Sequence, residues 1–136
     1  MHKVVAGLEI PYVAMQNSEN LSYDDVCTDV ARELCECVGE AELSGLPAWR
    51  MIVDPGIGFS KNTEQNLDII NGLKDMRGEI GKRRLALSRV PLLVGVSRKR
   101  FLGEICGQPN RHNGMLPLWL VWRLGFLGVR ILCEGL

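Results

Sequence analysis

Two strand ends carry the residues best suited to chemistry. The runs Val53-Asp54-Pro55-Gly56-Ile57-Gly58-Phe59-Ser60-Lys61 and Pro91-Leu92-Leu93-Val94-Gly95-Val96-Ser97-Arg98-Lys99 each pass from a short apolar stretch into small, polar and charged residues. In α/β proteins, chemistry collects at the carboxyl ends of strands. A helical stretch lies between the two runs, so both ends can serve one site. A carboxylate at Asp54 can accept two hydrogen bonds from an amidine-like edge, an N–H beside an NH₂. Gly56 and Gly58 allow a tight turn and close approach of backbone to ligand, and Phe59 can wall that ligand. Asp-Pro-Gly is also good turn chemistry without any ligand. At the second end, Lys99 can bond a carbonyl or ring nitrogen, and Ser97 and Arg98 can meet a carboxylate or phosphate near a helix N-terminus. From that segment alone, a solvated basic cluster is the favoured reading.

Composition narrows the classes of function. The chain has 136 residues, enough for one ordinary domain, with 16 basic and 16 acidic residues and no net charge. Bulk charge therefore gives no reason to expect nucleic acid or an anionic membrane as partner. No apolar run is long enough to span a bilayer. Met1-His2-Lys3-Val4 lacks the features of a signal or transit peptide and reads like the interior of a domain. Five cysteines, Cys27, Cys35, Cys37, Cys106 and Cys133, match no zinc spacing and are read as free thiols. His2 and His112 are read as lone, exposed histidines. No phosphate-binding glycine fingerprint is present.

The elements that must hold these residues follow from periodicity. Lys3 to Leu8 reads as a helix end, and Ile10 to Met15 as a short buried strand. Ser22-Tyr23-Asp24-Asp25 can cap a helix whose apolar positions are Val26, Val30, Leu34 and Val38, with periodicity ending at Gly39. Trp49 to Val53 is the next strand, with Trp49 expected to pack. Thr63 opens a helix running through Leu67, Ile70 and Leu73, followed by a basic connector, Lys82-Arg83-Arg84. Pro91 to Val96 is a third strand, and Arg100 begins a further helix. Strands without strict alternation imply a parallel sheet buried on both faces. The fold class is α/β, either part of a (β/α)₈ barrel or a small open sheet. Three strands cannot close a barrel, which takes about 250 residues.

Taken together, Asp54-Pro-Gly-Ile-Gly-Phe-Ser-Lys61 with Asn66 downstream, and Ser97-Arg-Lys-Arg-Phe-Leu-Gly-Glu-Ile105, resemble dihydropteroate synthase, specifically the synthase part of plant-type bifunctional folate enzymes. The resemblance runs from about Met1 to Pro109, which makes 1–109 a partial pterin-binding domain and 110–136 an aberrant tail. It implies a partial (β/α)₈ barrel made of the middle-to-late βα units. It implies condensation of 6-hydroxymethyl-7,8-dihydropterin pyrophosphate with p-aminobenzoate, assisted by Mg²⁺. By motif, Asp54 would hold the amino-pyrimidine edge of the pterin and Lys99 its carbonyl and ring side. Phe59, Gly95 and Met15 would line the pocket, and Ser97 and Arg98 would face p-aminobenzoate. Relatives are often homodimeric, and the plant type is generally mitochondrial, with a cytoplasmic location as the alternative. A pterin-dependent methyltransferase barrel is disfavoured by the Ser97-Arg98-Lys99 strand end. A non-catalytic pterin-binding fragment, or a partner of a full-length synthase, is the other alternative.

The chain departs from the family pattern in three places. The front half of the barrel, with the family's early Asn and Asp and its mobile loops, is not in this sequence, so the magnesium ligands are expected to be missing and this chain alone to be inactive. The family's M-H-x-R-G-x-P-x-T-M-Q stretch is cut short, since Met15 runs directly into Gln16. After Pro109, the run from Met115 to Cys133 has no acid and no clear helix or strand pattern. Permitted codons for this run, read one base earlier, can encode DAATVAGVAAGVLGGANIVR, which is similar to the family's small-residue helix and following strand. The expectation is a shift of reading frame or a misplaced splice junction between Pro109 and Met115. Sequencing the transcript from the codons of Val53 to Leu136 should show those permitted codons. Different codons after Met115 would end that explanation.

Overall fold

The structure, a computed structural model, describes residues 2–18, 23–95 and 99–105, together with the backbone of 130–132. Its helices are α1 (His2–Leu8), α2 (Val26–Leu43), α3 (Thr63–Asn71), α4 (Leu73–Arg83) and α5 (Arg100–Ile105). Its strands are β1 (Tyr12–Met15), β2 (Met51–Asp54), β3 (Leu93–Gly95) and β4 (Arg130–Leu132). β1 pairs parallel with β2 and β3 pairs parallel with β4, while a parallel bridge from Val53 to Leu92 joins the two pairs. Each parallel neighbour requires a long crossover, and the helices supply it. The expected α/β class with helices between parallel strands is observed. β4 is an addition: its residues fall in the tail, where no strand was expected. The remainder of the tail reading lies outside the described residues.

Strand register sorts the sheet into two unlike faces. Tyr12 pairs with Met51 and Ala14 with Val53, and the Val53–Leu92 bridge carries the same face on to Leu92 and Val94. Ala14, Met51, Val53, Leu92 and Val94 are buried beneath the helices. The opposite face carries Val13, Met15, Ile52, Asp54, Leu93 and Gly95. There Val13 is 43% exposed and Met15 37%. The expectation of a sheet buried on both faces is therefore corrected: among the described residues, one face is covered by helices and the other is open. The same cause corrects the buried strand from Ile10 to Met15. It starts at Tyr12, only Ala14 is buried in it, and Ile10 precedes it in the open.

Local sequence explains the helices. Asp25 caps α2, accepting from the backbone N–H of Cys27 at 3.0 Å and of Thr28 at 3.4 Å, which satisfies two otherwise unpaired donors. Val26, Val30, Leu34 and Val38 then repeat every fourth residue and are all buried, as periodicity predicts. The helix does not stop at Gly39. It runs to Leu43, because Ala41 still packs in the core, and Gly45 turns the chain at φ +95°. Asn62 and Gln65 form a reciprocal capping box for α3.

The expected single helix from Thr63 is two, divided at Gly72. A side chain there would meet Cys27 Sγ at 2.4 Å, so glycine lets this point of the chain press against α2. The basic connector is likewise revised, since Lys82 and Arg83 are the last turn of α4, where cations face the negative end of the helix dipole. Arg84, just beyond, pairs with Glu42 and ties the ends of α4 and α2 together.

Two aromatic expectations change. Ala48–Arg50 is a single 3₁₀ turn, so β2 begins only at Met51. Trp49 does not pack in the core: it is 77% exposed, with the Arg50 guanidinium 4.8 Å above its ring. His2 is not alone, as its Nε2 lies 3.1 Å from the Tyr12 hydroxyl in an edge-on ring contact. Cys27, Cys35 and Cys37 are free thiols, as read, while Cys106, Cys133 and His112 lie outside the described residues. Among the described residues, no helix is long and apolar enough to cross a membrane.

Leu34 is 1% exposed at the centre of α2. Replacing it with alanine should lower unfolding stability by about 2–5 kcal/mol through lost burial and the cavity left behind. A urea titration measures this, and a change below about 1 kcal/mol would contradict the packing described.

Candidate active site

Three of the motif residues end adjacent parallel strands on the open face. Met15 and Asp54 are register partners at the ends of β1 and β2, and Gly95 ends β3 on the same face. Side chains alternate along a strand, so Met15 and Asp54 stand side by side on one face, and Gly95 lies on that face two residues past the position level with Asp54. A side chain added at Gly95 would meet nothing within 4 Å, so space lies open above it. Lys99 follows β3 and its stem crosses Gly58, where an added side chain would meet Lys99 Cδ at 2.7 Å. This path places Nζ 4.0 Å above the centre of the Phe59 ring, in cation–π range. Asp54, Lys99, Phe59, Gly95 and Met15 thus gather at one end of the sheet. Ser97 and Arg98 lie outside the described residues.

The loop after β2 is held from three sides. Asp54 Oδ1 accepts from the Gly56 N–H at 2.8 Å, which turns the chain at once. Gly56 has φ +66°, and a side chain there would come within 2.0 Å of the Gln16 carbonyl oxygen. No other residue fits, since the obstacle is backbone and the φ is left-handed. Asn66, buried on α3, accepts from the Gly58 N–H at 2.7 Å and donates to the Asn62 carbonyl at 2.8 Å and the Lys61 carbonyl at 3.3 Å. Asn66, a motif residue, thus fixes the glycine loop to the helix.

The third hold was not read from sequence. Gln16 is 4% exposed. Its backbone N–H donates to the Asp54 carbonyl at 2.9 Å, and its side chain donates to the Tyr23 hydroxyl at 3.0 Å and to Glu33 at 2.8 Å. Its Oε1 accepts from Lys61 Nζ, which also donates to the carbonyls of Gly56 and Phe59, each at 3.2 Å. Gln16 directly follows the strand, and nothing in its spacing marks it as buried. Its alternation with Ala14 is a faint signal that could have done so.

Electrostatics follow from burial. Burial pushes the Asp54 carboxyl above the ordinary aspartate value, while the Gly56 N–H and the nearby Lys99 and Lys61 charges pull it back. Burial likewise pushes the Lys61 ammonium down to about 8, against the opposing pull of Glu33 and Asp54. The residues do not fit a magnesium ion. Among the described residues no group of three or more His, Cys, Asp or Glu side chains stands together, and the two nearby charges at Asp54 are lysines. Magnesium usually takes one or two carboxylates beside water and substrate phosphate, and the Asp54 carboxylate already stands near two ammonium groups.

The pterin-binding enzyme family matches residues 1–121, and the chain belongs to it. It is 58% identical over 119 residues to the mitochondrial folate synthesis bifunctional protein of Pisum sativum, covering 81% of this chain and 23% of that protein. It is 37% identical over 109 residues to the dihydropteroate synthase of Clostridium beijerinckii, covering 80% of this chain and 37% of that one. Among solved structures, the Xanthomonas albilineans dihydropteroate synthase with 4-aminobenzoic acid superposes with TM-score 0.77 at 32% identity, over 96% of this chain and 45% of that one. The Thermus thermophilus enzyme in complex with 6HMPPP gives TM-score 0.75 at 28% identity, over 96% and 49%. The chain therefore spans less than half the length of each of these relatives.

Gly56→Ala should destabilise the fold by at least about 1–3 kcal/mol, from the left-handed backbone and the carbonyl clash. Gly95→Ala should leave the unfolding midpoint unchanged, because its methyl enters open space. Thermal melts of the two variants test the contrast, and equal losses would refute it.

Proposed function

We propose that this chain is the pterin-binding portion of a dihydropteroate synthase of the plant bifunctional type, and that its sheet is part of a (β/α)₈ barrel. What supports this most directly is that Met15, Asp54 and Gly95 end adjacent parallel strands on one face, with Lys99 and Phe59 beside them. Asp54 keeps acceptor capacity beyond its bond to Gly56, and an ionised carboxylate suits the paired donors of an aminopyrimidine edge. Lys99 would donate to the pterin carbonyl and ring nitrogen. Phe59 and Met15 would wall the ring, and the open space at Gly95 would admit it. Ser97 and Arg98 would stand on the p-aminobenzoate side.

In the complete synthase, the bond between the pterin methylene carbon and the pyrophosphate oxygen breaks. The aromatic amine of p-aminobenzoate forms the new carbon–nitrogen bond and then loses a proton, giving 7,8-dihydropteroate and pyrophosphate. The residues here would contribute by holding the pterin still and oriented, which is worth several powers of ten in rate when two reactants must meet. Magnesium, implied by the family, finds no fitting site among the described residues, so no step is assigned to it. The mitochondrial name of the Pisum sativum relative supports the same compartment for this protein.

The purified chain should bind 6-hydroxymethylpterin without turning over p-aminobenzoate, even with magnesium present. Measurable dihydropteroate would overturn the second half of that statement, and absent binding the first. Asp54→Asn keeps an acceptor for the Gly56 N–H but offers a donor to the pterin. It should weaken pterin binding by about tenfold or more, the value of one charge-assisted hydrogen bond. Its stability should not fall, since an aspartate whose pKa is raised by burial gains nothing from being ionised. Pterin affinity should also fall on acidification, at a pH above the ordinary aspartate value of 3.8, as Asp54 takes up its proton. A fluorescence titration across pH checks the direction.

A further inference from the structure

The loop after β2 winds around its own lysine. Three residues between Gly56 and Ser60 have left-handed backbone: Gly56 at φ +66°, Gly58 at +80° and Ser60 at +49°. Serine gains nothing from that conformation and disfavours it. The winding turns the carbonyls of Gly56 and Phe59 inward, onto Lys61 Nζ, each at 3.2 Å. The remaining acceptor is Gln16 Oε1, from the chain that leaves β1. An ammonium has three N–H donors, and here each has one acceptor. None of the three acceptors is a carboxylate, and among the described residues Lys61 makes no ion pair. A surface lysine gains its stability from water and would be free to leave. This one exchanges water for carbonyl oxygens contributed by two separate strand ends.

We infer that Lys61 is a positioning residue for the pterin pocket: its ammonium holds the Gly56–Ser60 loop in its left-handed winding and locks that loop to Gln16. This rests on the pterin-binding reading of the site. Lys61 need not touch the ligand. It acts through Phe59, whose own carbonyl it holds and whose ring lies under Lys99, and through Gly56, whose N–H fixes Asp54. Gln16 extends the clamp to α2, since its amide donates to Glu33 and to the Tyr23 hydroxyl. The planar guanidinium of arginine cannot point three N–H groups at three converging carbonyls in the same volume, so charge alone does not restore the clamp.

The test uses the purified chain and 6-hydroxymethylpterin. In Lys61→Met, which keeps much of the stem but no donor, the dissociation constant should rise about tenfold or more. Amide exchange at Gly58, Phe59 and Ser60 should quicken while exchange in α2 stays as in the wild type. Lys61→Arg should recover little of either. Lys82→Met, removing an exposed lysine paired with Glu79, should change neither. Should Lys61→Met fail to fold, the wild type decides: a slowly exchanging Lys61 ammonium proton signal supports the clamp, and a freely exchanging one overturns it. Unchanged loop exchange and unchanged affinity in Lys61→Met also overturn it. If the wild-type chain binds no pterin, the proposed function falls, and loop exchange alone judges the clamp.

Discussion

Beyond the last paired residues of β1 and β2, the ladder carries on by one more bond, from the Gln16 N–H to the Asp54 carbonyl at 2.9 Å. That bond brings the Gln16 backbone so close to the following turn that only glycine fits at position 56. The rest of the site depends on this closeness. It lets Asp54 fold back on the Gly56 N–H, and it puts the Gln16 side chain within reach of Lys61. Asn66 then anchors the far end of the same loop to α3. Parallel pairing supplies this geometry, because β1 and β2 end level at Met15 and Asp54 and present register partners on the same face.

The two faces of the sheet carry the same kind of residue but have different fates. Ala14, Met51, Val53 and Val94 lie under the helices, and Val13, Ile52 and Leu93 lie on the face that no described element covers. Apolar residues on both faces are characteristic of parallel sheets whose strands are enclosed on both sides. The chain spans about half or less of the length of its solved relatives, and the open face is where the motif residues sit. The arrangement keeps stability and chemistry apart: helix-facing positions supply the core, while the positions at the strand ends of the other face are free to hold polar groups.

Burial gives the polar groups here unusual properties without any single dominant partner. Asp54 is raised and Lys61 lowered for the same reason, removal from water, and each is partly corrected by the other's charge. Such compensation lets two opposite charges stand in a half-buried site without forming a direct ion pair. The carboxylate remains available to a ligand, and the ammonium remains available to the backbone.

Much of this was legible in the chain itself. Fourfold spacing of Val26, Val30, Leu34 and Val38 placed the core face of α2, and Asp25 and Asn62 marked helix starts through their caps. Asp54, Phe59 and Lys99 stood out as candidates at strand ends, though plain turn and surface-charge readings competed with them, and Gly95 joined them only through the family resemblance. Local rules could not show the break at Gly72, which depends on Cys27 of a distant helix, nor the exposure of Trp49, whose partner is its own neighbour Arg50. Gln16 and Lys61 stayed hidden for the same reason. A glutamine and a lysine read as solvated residues in any local window, and only the meeting of two strand ends, 45 residues apart in the chain, takes them from water and gives them each other. Sequence by itself determined most of the elements, the core face of α2 and the chemical types at the site. Tertiary structure decided which polar groups face one another, because that depends on contacts between segments whose separation along the chain carries no periodic signal.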